Sequence, residues 1–457
     1  MQKKLFLRLL AIVFLMVLLL IPLGLIRGVV SERQGLQSQV ENTIAMNLAG
    51  PQRLAGPLLV VPYVERETVT TSDDRGRDTK KVIEHQRKAI FMAENLTIDA
   101  STGVESRYKG LYKALVYQTR ADLRARFNVP ANLGLDIDPG QYTIGRPWIA
   151  VGLGDVRGLR ASPVFSWDKQ AQQVANGPRL EGLGDGLHAM VALTDVRSAS
   201  THDVDIRLDF AGTSSLAVVP LGNSTVMQLK ATWPHPNFGG RFLPQTKSID
   251  ANGFTARWEV SHLSSRNGAL IRQGLVSGER DRQLEAFDVG FIEPVNIYQQ
   301  AERAVKYGIL FVVLTFAAFF LFEVLKELRI HPLQYGLVGM ALAIFFLLLV
   351  SLSEHISFLY AYLAASSACV LLIGYYLSFV LRGWRRGVAF AGQLAVLYAV
   401  LYGLLLSEDN ALMLGSLLLF FVLATVMVMT RRIDWYQLGG QQETQPAKTP
   451  TTEILPS

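Results

Sequence analysis

Apolar residues along this chain are gathered into blocks, and the blocks predict its elements. The first is Leu9–Ile26, an uninterrupted apolar run preceded by Lys3, Lys4 and Arg8. A bilayer core needs about 20 such residues, with a lower limit near 17. The run is longer than the apolar part of a secretion signal, and no A-x-A cleavage pattern follows it. It reads as an uncleaved signal anchor, bent toward its outer end by Pro22. Five more apolar stretches follow, at about 304–325, 332–352, 358–381, 387–406 and 411–430. That predicts six spans.

Between the first and second spans the pattern changes. Over Glu32–Leu48 the apolar residues Leu36, Val40, Ile44 and Leu48 recur every four positions, which predicts one helical face continuing the anchor outward as a stalk. Strand-like runs come next: Leu58–Val64, Ala89–Ala93, Leu123–Val129, Trp148–Leu153, Val204–Phe210 and Thr225–Trp233. Val204–Phe210 alternates strictly, as a half-buried antiparallel strand must. Thr70–Lys81 is polar and reads as a hairpin tip. The expectation is an α+β membrane protein, with six transmembrane helices (one N-terminal, five C-terminal) and a large, predominantly antiparallel β domain between the first and second. Its parts are an anchor over 1–29, a mostly-β domain with its stalk over 30–303, a five-helix bundle over 304–430, and a disordered tail over 431–457. One large β domain or two smaller ones would both suit the middle segment.

Charge sharpens this into a topology. Basic residues crowd the short loops after the second, fourth and sixth spans (Lys326, Arg329; Arg382, Arg385, Arg386; Arg431, Arg432). The loops after the third and fifth, Ser351–Ser357 and Ser407–Asn410, carry none. By the positive-inside rule both termini are expected in the cytoplasm and 30–303 in the periplasm of a two-membrane bacterium. Composition agrees: the 457 residues are 50% hydrophobic and 18% charged, with mean hydropathy +0.26. The net charge of +6 divides into +4 for 1–29, +1 for 30–303, +2 for 304–437 and −1 beyond. A nearly neutral outer segment without a basic run offers no nucleic-acid face. Cys369 is the one cysteine, so neither an internal disulfide nor a cysteine metal cluster can form.

Strong catalytic motifs are missing: there is no G-x-x-x-x-G-K-[ST], H-E-x-x-H or G-x-S-x-G. The glycine clusters Gly152–Gly158 and Gly182–Gly186 read as turns, and the seven histidines as structural; His202-Asp-Val-Asp205 would meet a metal only by accident of the fold. Three polar features stand out. Glu323 lies near the inner end of the second span, where an ionisable group is costly and often functional; snorkelling or pairing with Lys326 would relieve it. Glu354-His355, at the outer end of the third span, reads as an interfacial cap or as an acid/base pair. Arg329, His331 and Arg382–Arg386 form an inner basic belt that topology explains, with anionic lipid contact as an addition. Gln393, Ser366, Ser367 and Thr315 could join helices by hydrogen bonds. Carboxylates spread across several spans, as in an ion-coupled transporter, are not present.

Several segments together resemble the bacterial inner-membrane CreD family, a cell envelope integrity family. They are Leu314–Glu323 continuing through Arg329–Gly339 to Leu352–His355, Gly50–Leu58, Trp233–Phe238 with Phe242–Pro244, and Thr430–Tyr436. They occur in the family's order and cover essentially the whole chain; the tail after Gln437 and the β-domain loops depart from it. The resemblance implies an inner-membrane protein under control of the CreBC two-component system, linked to envelope integrity, tolerance of a DNase colicin, and responses to β-lactam or other wall stress. It implies no enzyme activity and no cofactor, because no catalytic residue is established for the family. Trp233, His235, Glu323, Arg329, His331, Glu354 and His355 are therefore candidate positions without assigned roles. Gly50-Pro51 and Gly56-Pro57 are expected to set the stalk-to-domain turn, and Trp233–Pro236 to end a strand against the core. The function expected is envelope maintenance, through binding of an envelope component or protein partner by the β domain, with membrane lipids around the helices. A transporter or lipid-handling protein is the alternative. An enzyme using Glu354 and His355 is the third reading.

Overall fold

In the computed structural model the described residues are all but 1, 73–77, 138, 194, 273–283, 294–295, 326–329, 382, 408–410 and 432–457. The tail and Arg329 thus lie outside the described residues. The chain divides into two units, Met1–Gly35 with Val295–Ser457, and Leu36–Pro294.

The first unit is helical. Its elements are α1 (Gln2–Leu18), the start of α2 (Leu20–Asn47), α4 (Ile297–Leu325), α5 (Pro332–Ser353), α6 (Phe358–Val380), α7 (Trp384–Leu406) and α8 (Ala411–Thr430). Pro22 interrupts the first span four residues earlier than the bend expected at its own position. Its ring crowds the carbonyl of Leu18, where α1 ends. α2 then runs unbroken through the expected stalk. Among the described residues, five helices are long and apolar enough to cross a membrane, and within α8 the described apolar stretch Met413–Val428 is shorter. The bundle core is aromatic, with Phe319–Tyr335, Phe311–Tyr398 and Phe345–Tyr398 ring centroids 4.5, 4.5 and 4.6 Å apart. α6 and α7 meet at Gly387, where an added Cβ would stand 2.7 Å from the Ser378 Cα. In a bilayer, where lipid is as apolar as leucine, such small residues let backbones pack.

The second unit holds one sixteen-stranded sheet among its described residues. In chain order the strands are β1 (Gln52–Ser72), β2 (Asp78–Lys109), β3 (Tyr112–Val129), β4 (Tyr142–Ile144), β5 (Trp148–Gly152), β6 (Val164–Trp167), β7 (Gln170–Gln172) and β8 (Val174–Asn176). Then come β9 (Gly186–Met190), β10 (Ser200–Thr213), β11 (Ser215–Val219), β12 (Gly222–Ala231), β13 (Pro236–Gly240), β14 (Thr246–Asp250), β15 (Gly253–Ser261), the short helix α3 (Asn267–Arg272), and β16 (Phe287–Phe291). Pairing is antiparallel except for β1 with β11 and β2 with β12. The contacts of 36–294 group as one unit. On β10, His202, Val204, Ile206, Leu208 and Phe210 are buried, while Asp203, Asp205 and Arg207 between them are exposed and Asp209 is half-buried, as alternation predicts. Gly50-Pro51 lies between α2 and β1, but Gly56-Pro57 does not. It sits inside β1, where the pairing with β5 shifts register between Ala55 and Leu58: a bulge inside the sheet, where a turn was expected.

A buried polar knot ties distant strands together. The Gln52 side-chain amide donates to the Ala211 and Asp155 carbonyls at 2.9 and 3.0 Å. The Tyr117 hydroxyl donates to the Ser215 carbonyl at 2.6 Å and accepts from the Gln52 N–H. Burial raises the Tyr117 phenol, keeping it the donor this knot requires. Beside it, burial raises the Asp288 carboxyl, offset only in part by hydrogen bonds with Ser215 and Val289. Asp288 thus keeps its proton to higher pH in the fold than in the unfolded chain, and ionising it costs stability once pH passes the ordinary value of about 3.9. Asp288→Asn is expected to raise the unfolding midpoint near neutral pH, and the gain is expected to vanish below about pH 3. An equal shift at both pH values would contradict this.

Candidate functional site

The sequence-predicted polar positions of the helical unit fall into two places. At one end of the α4–α5 hairpin, Glu323 is buried, 7% exposed. The Tyr335 hydroxyl donates to its Oε2 at 2.7 Å, and the Ile330 N–H to its Oε1 at 3.4 Å. The carboxylate thus turns inward and does not snorkel, because a phenol within reach lowers the cost of burial that water would otherwise relieve. His331 caps α5: its Nδ1 accepts from the Leu333 N–H at 3.2 Å, while the Gln334 side chain accepts from the His331 N–H at 3.0 Å. With Pro332 at the first helical position, this segment is built to start a helix.

At the other end the arrangement is reciprocal. The Tyr298 hydroxyl, in the first turn of α4, donates to Glu354 Oε1 at 3.3 Å. Arg33 Nε, on α2, lies 3.5 Å from the same oxygen, and the Glu354 side chain is 8% exposed. Each of the two helices carries a tyrosine near its N-terminal end and a glutamate at its C-terminal end, and the antiparallel hairpin pairs them crosswise. His355 stands apart from this clasp. It is exposed, and its Nδ1 is 3.1 Å from the Ser351 carbonyl of its own helix. The structure does not bring Glu354 and His355 together as an acid/base pair: one side chain turns into the bundle and the other away.

In the β unit, Trp233 packs against the core and its indole donates to the Ile292 carbonyl at 2.9 Å, while His235 is exposed, edge-on to Trp233 at 6.1 Å. Residues 232–235 lie between β12 and β13, and Pro236 opens β13, so the segment ends one strand at the start of the next. His202 uses both ring nitrogens, Nδ1 with Asp168 at 2.7 Å and Nε2 with Ser200 Oγ at 3.1 Å, and stacks on Trp167. Among the described residues no group of three or more His, Cys, Asp or Glu side chains is placed to hold a metal.

A larger feature escaped residue-by-residue reading. The exposed face of β2, β3 and β10 is a ladder of unlike charges. Arg126 is directly opposite Asp203, Asp122 opposite Arg207, and Arg120 opposite Asp209. The corresponding N–O distances are 2.8, 2.7 and 3.7 Å, and Arg124 bonds Asp99 across to β2. Three open cavities of about 390, 430 and 480 Å³ follow this face, the last two meeting at Gly103, Gln118 and Thr232. Arg160 and Lys230 border them without an acidic partner among the described residues. The signal in sequence was the alternation of Asp and Arg in Asp203–Asp209 and Arg120–Arg126.

These features define a multi-pass membrane protein that carries a separately cored β unit. The family described as inner membrane protein CreD matches residues 4–436. The inner membrane protein CreD of Escherichia coli (strain K12) is 38% identical over 421 residues, which span 92% of this chain and 91% of that protein. The chain belongs to the CreD family and is an inner-membrane protein. Among solved structures, the M1 zinc metallopeptidase of Deinococcus radiodurans aligns with 44% of this chain and 42% of its own at 10% identity. The TM-score of 0.20 is too low to carry any argument.

Proposed function

We propose that this protein maintains the cell envelope by binding, with the β unit in the periplasm, both termini in the cytoplasm, and no chemistry of its own. The observation that carries the proposal is the charge-laddered face of β2, β3 and β10. Its paired residues are held by their neighbours, while Arg160 and Lys230 have no acidic partner among the described residues beside open polar cavities. Such a face suits a polar envelope component or a protein partner, and the family's link to envelope stress gives that binding its purpose. The basic loops after the second, fourth and sixth spans support the orientation. The engagement of Glu354 by Tyr298 and Arg33, away from His355, favours binding over acid/base catalysis.

The test is a photocrosslinking residue placed at Gln118 in the full chain in cells, with Leu263 as the control position. A specific adduct from Gln118 is expected, lost in the double variant Arg160→Glu, Lys230→Glu together with protection against β-lactam. Adducts that are absent, or equal from both positions, would sink the binding face.

A further inference from the structure

The hairpin that joins β2 to β3 ends in an apex of mixed character. Lys109 lies directly opposite Tyr112, so Gly110 and Leu111 alone form the turn. Gly110 takes a φ of +63°, which a tight hairpin turn needs and glycine adopts without strain. Leu111 at the apex is 51% exposed and Tyr108 beside it 69%. The Tyr108 hydroxyl has no partner among the described residues. Three cations surround this apolar tip. Arg107 is held by Glu105 at 2.9 Å and Lys113 by Glu293 at 2.6 Å. Lys109 has no acidic partner among the described residues. The Lys113–Glu293 bond fixes the tip to a particular point of the chain. Glu293 precedes Tyr298 by five residues, which span at most about 18 Å. Tyr298 bonds Glu354, the residue that closes α5 where the third span ends. A short covalent tether thus keeps the tip within reach of the bilayer surface. Ile292, next to Glu293, adds another exposed apolar side chain.

We infer that the β2–β3 apex docks on the anionic lipid surface of the membrane that the helices cross. It enters turn first, so side chains from both sides of the hairpin join the contact. Leu111 reaches the acyl boundary. The Tyr108 ring sits at headgroup depth, where its apolar body and polar hydroxyl are both accommodated. Lys109 lays its stem along the apolar layer and sets its charge against a lipid phosphate. A soluble protein would have to enter the same short gap to cover this tip, whereas the lipid surface already lies there. The contact is separate from the charge-laddered face and does not depend on what that face binds.

The experiment uses the full chain reconstituted in vesicles of phosphatidylethanolamine and phosphatidylglycerol, the latter carrying a diazirine high on one acyl chain. After illumination, adducts are mapped by mass spectrometry, with those on the spans as the internal reference. Adducts are expected on Tyr108–Lys113 and not on Thr246–Asp250, the exposed strand β14. Relative to the spans, the yield on the tip is expected to fall at least fivefold in the double variant Lys109→Gln, Leu111→Asp, and to be kept in Lys109→Arg. It is also expected to be weaker in phosphatidylcholine vesicles with the diazirine on that lipid. No adduct on Tyr108–Lys113, an equal yield on Thr246–Asp250, an undiminished yield in the double variant, or an equal yield in phosphatidylcholine would each overturn the assignment.

Discussion

Trp258→Ala is expected to destabilise the β unit by about 3–5 kcal/mol, the range for removing a large aromatic side chain from a packed core. Trp258 is 1% exposed, on β15 directly across from Met227 of β12. Its ring stacks on Phe287 with centroids 5.1 Å apart and planes 13° apart, and Phe238 meets it edge-on at 5.8 Å. Phe287 and Phe238 belong to β16 and β13, so one side chain joins strands that arrive from distant parts of the sequence. Deleting it opens a cavity that four strands in a fixed register cannot collapse to fill. Single domains have total stabilities of about 5–15 kcal/mol, so the loss reaches a large share of what holds the unit folded. Protease digestion across a urea series, in membranes, should show the β unit cleaved at a lower midpoint while the helical unit stays resistant. A midpoint within about 1 kcal/mol of wild type would refute the packing argument. Trp258→Phe should cost less, since the indole N–H has no partner among the described residues and a ring remains.

Glu354→Ala is expected to cost about 2 kcal/mol in the helical unit, and His355→Ala close to nothing. The carboxylate accepts from Tyr298 and faces Arg33; removing it takes that acceptor from a buried phenol and that partner from a cation. Full values for broken buried ion pairs are larger, but Arg33 is 40% exposed and water screens it. Glu354→Gln keeps an acceptor for Tyr298 and should fall between. Both stability and protection against envelope stress should follow this order in cells with matched expression. If His355→Ala abolishes protection while Glu354→Gln retains it, chemistry at the exposed histidine returns as the better reading. The Glu323–Tyr335 pair at the other end of the hairpin gives an internal comparison, since the same pair of residue types closes it.

Much of the architecture was legible from the chain. Runs of apolar residues announced each span because a bilayer imposes a minimum length. The alternation over Val204–Phe210 announced an inward face because a strand turns successive side chains to opposite sides. The Trp233–Pro236 segment was readable because proline within a sheet is confined to strand ends, edges and bulges. Other features were not readable. Gly56-Pro57 looked like a turn because glycine and proline mark turns and bulges alike, and the distinction depends on β5 lying alongside. The partners of Glu323 and Glu354 were hidden for a related reason. Glu323 and Tyr335 are twelve residues apart, and Tyr298 and Glu354 fifty-six.

By itself, then, the sequence determined which segments are apolar enough to enter a membrane, which alternate as strands, and which loops carry positive charge. Each follows from the composition and period of a short local stretch. The tertiary structure alone decided that β2, β3 and β10 align their charges into one ladder, and that glutamates and tyrosines of two helices clasp crosswise. Those outcomes depend on register and on which helix packs beside which. Both are set by the summed burial of many residues far apart in the chain, so no local pattern contains them.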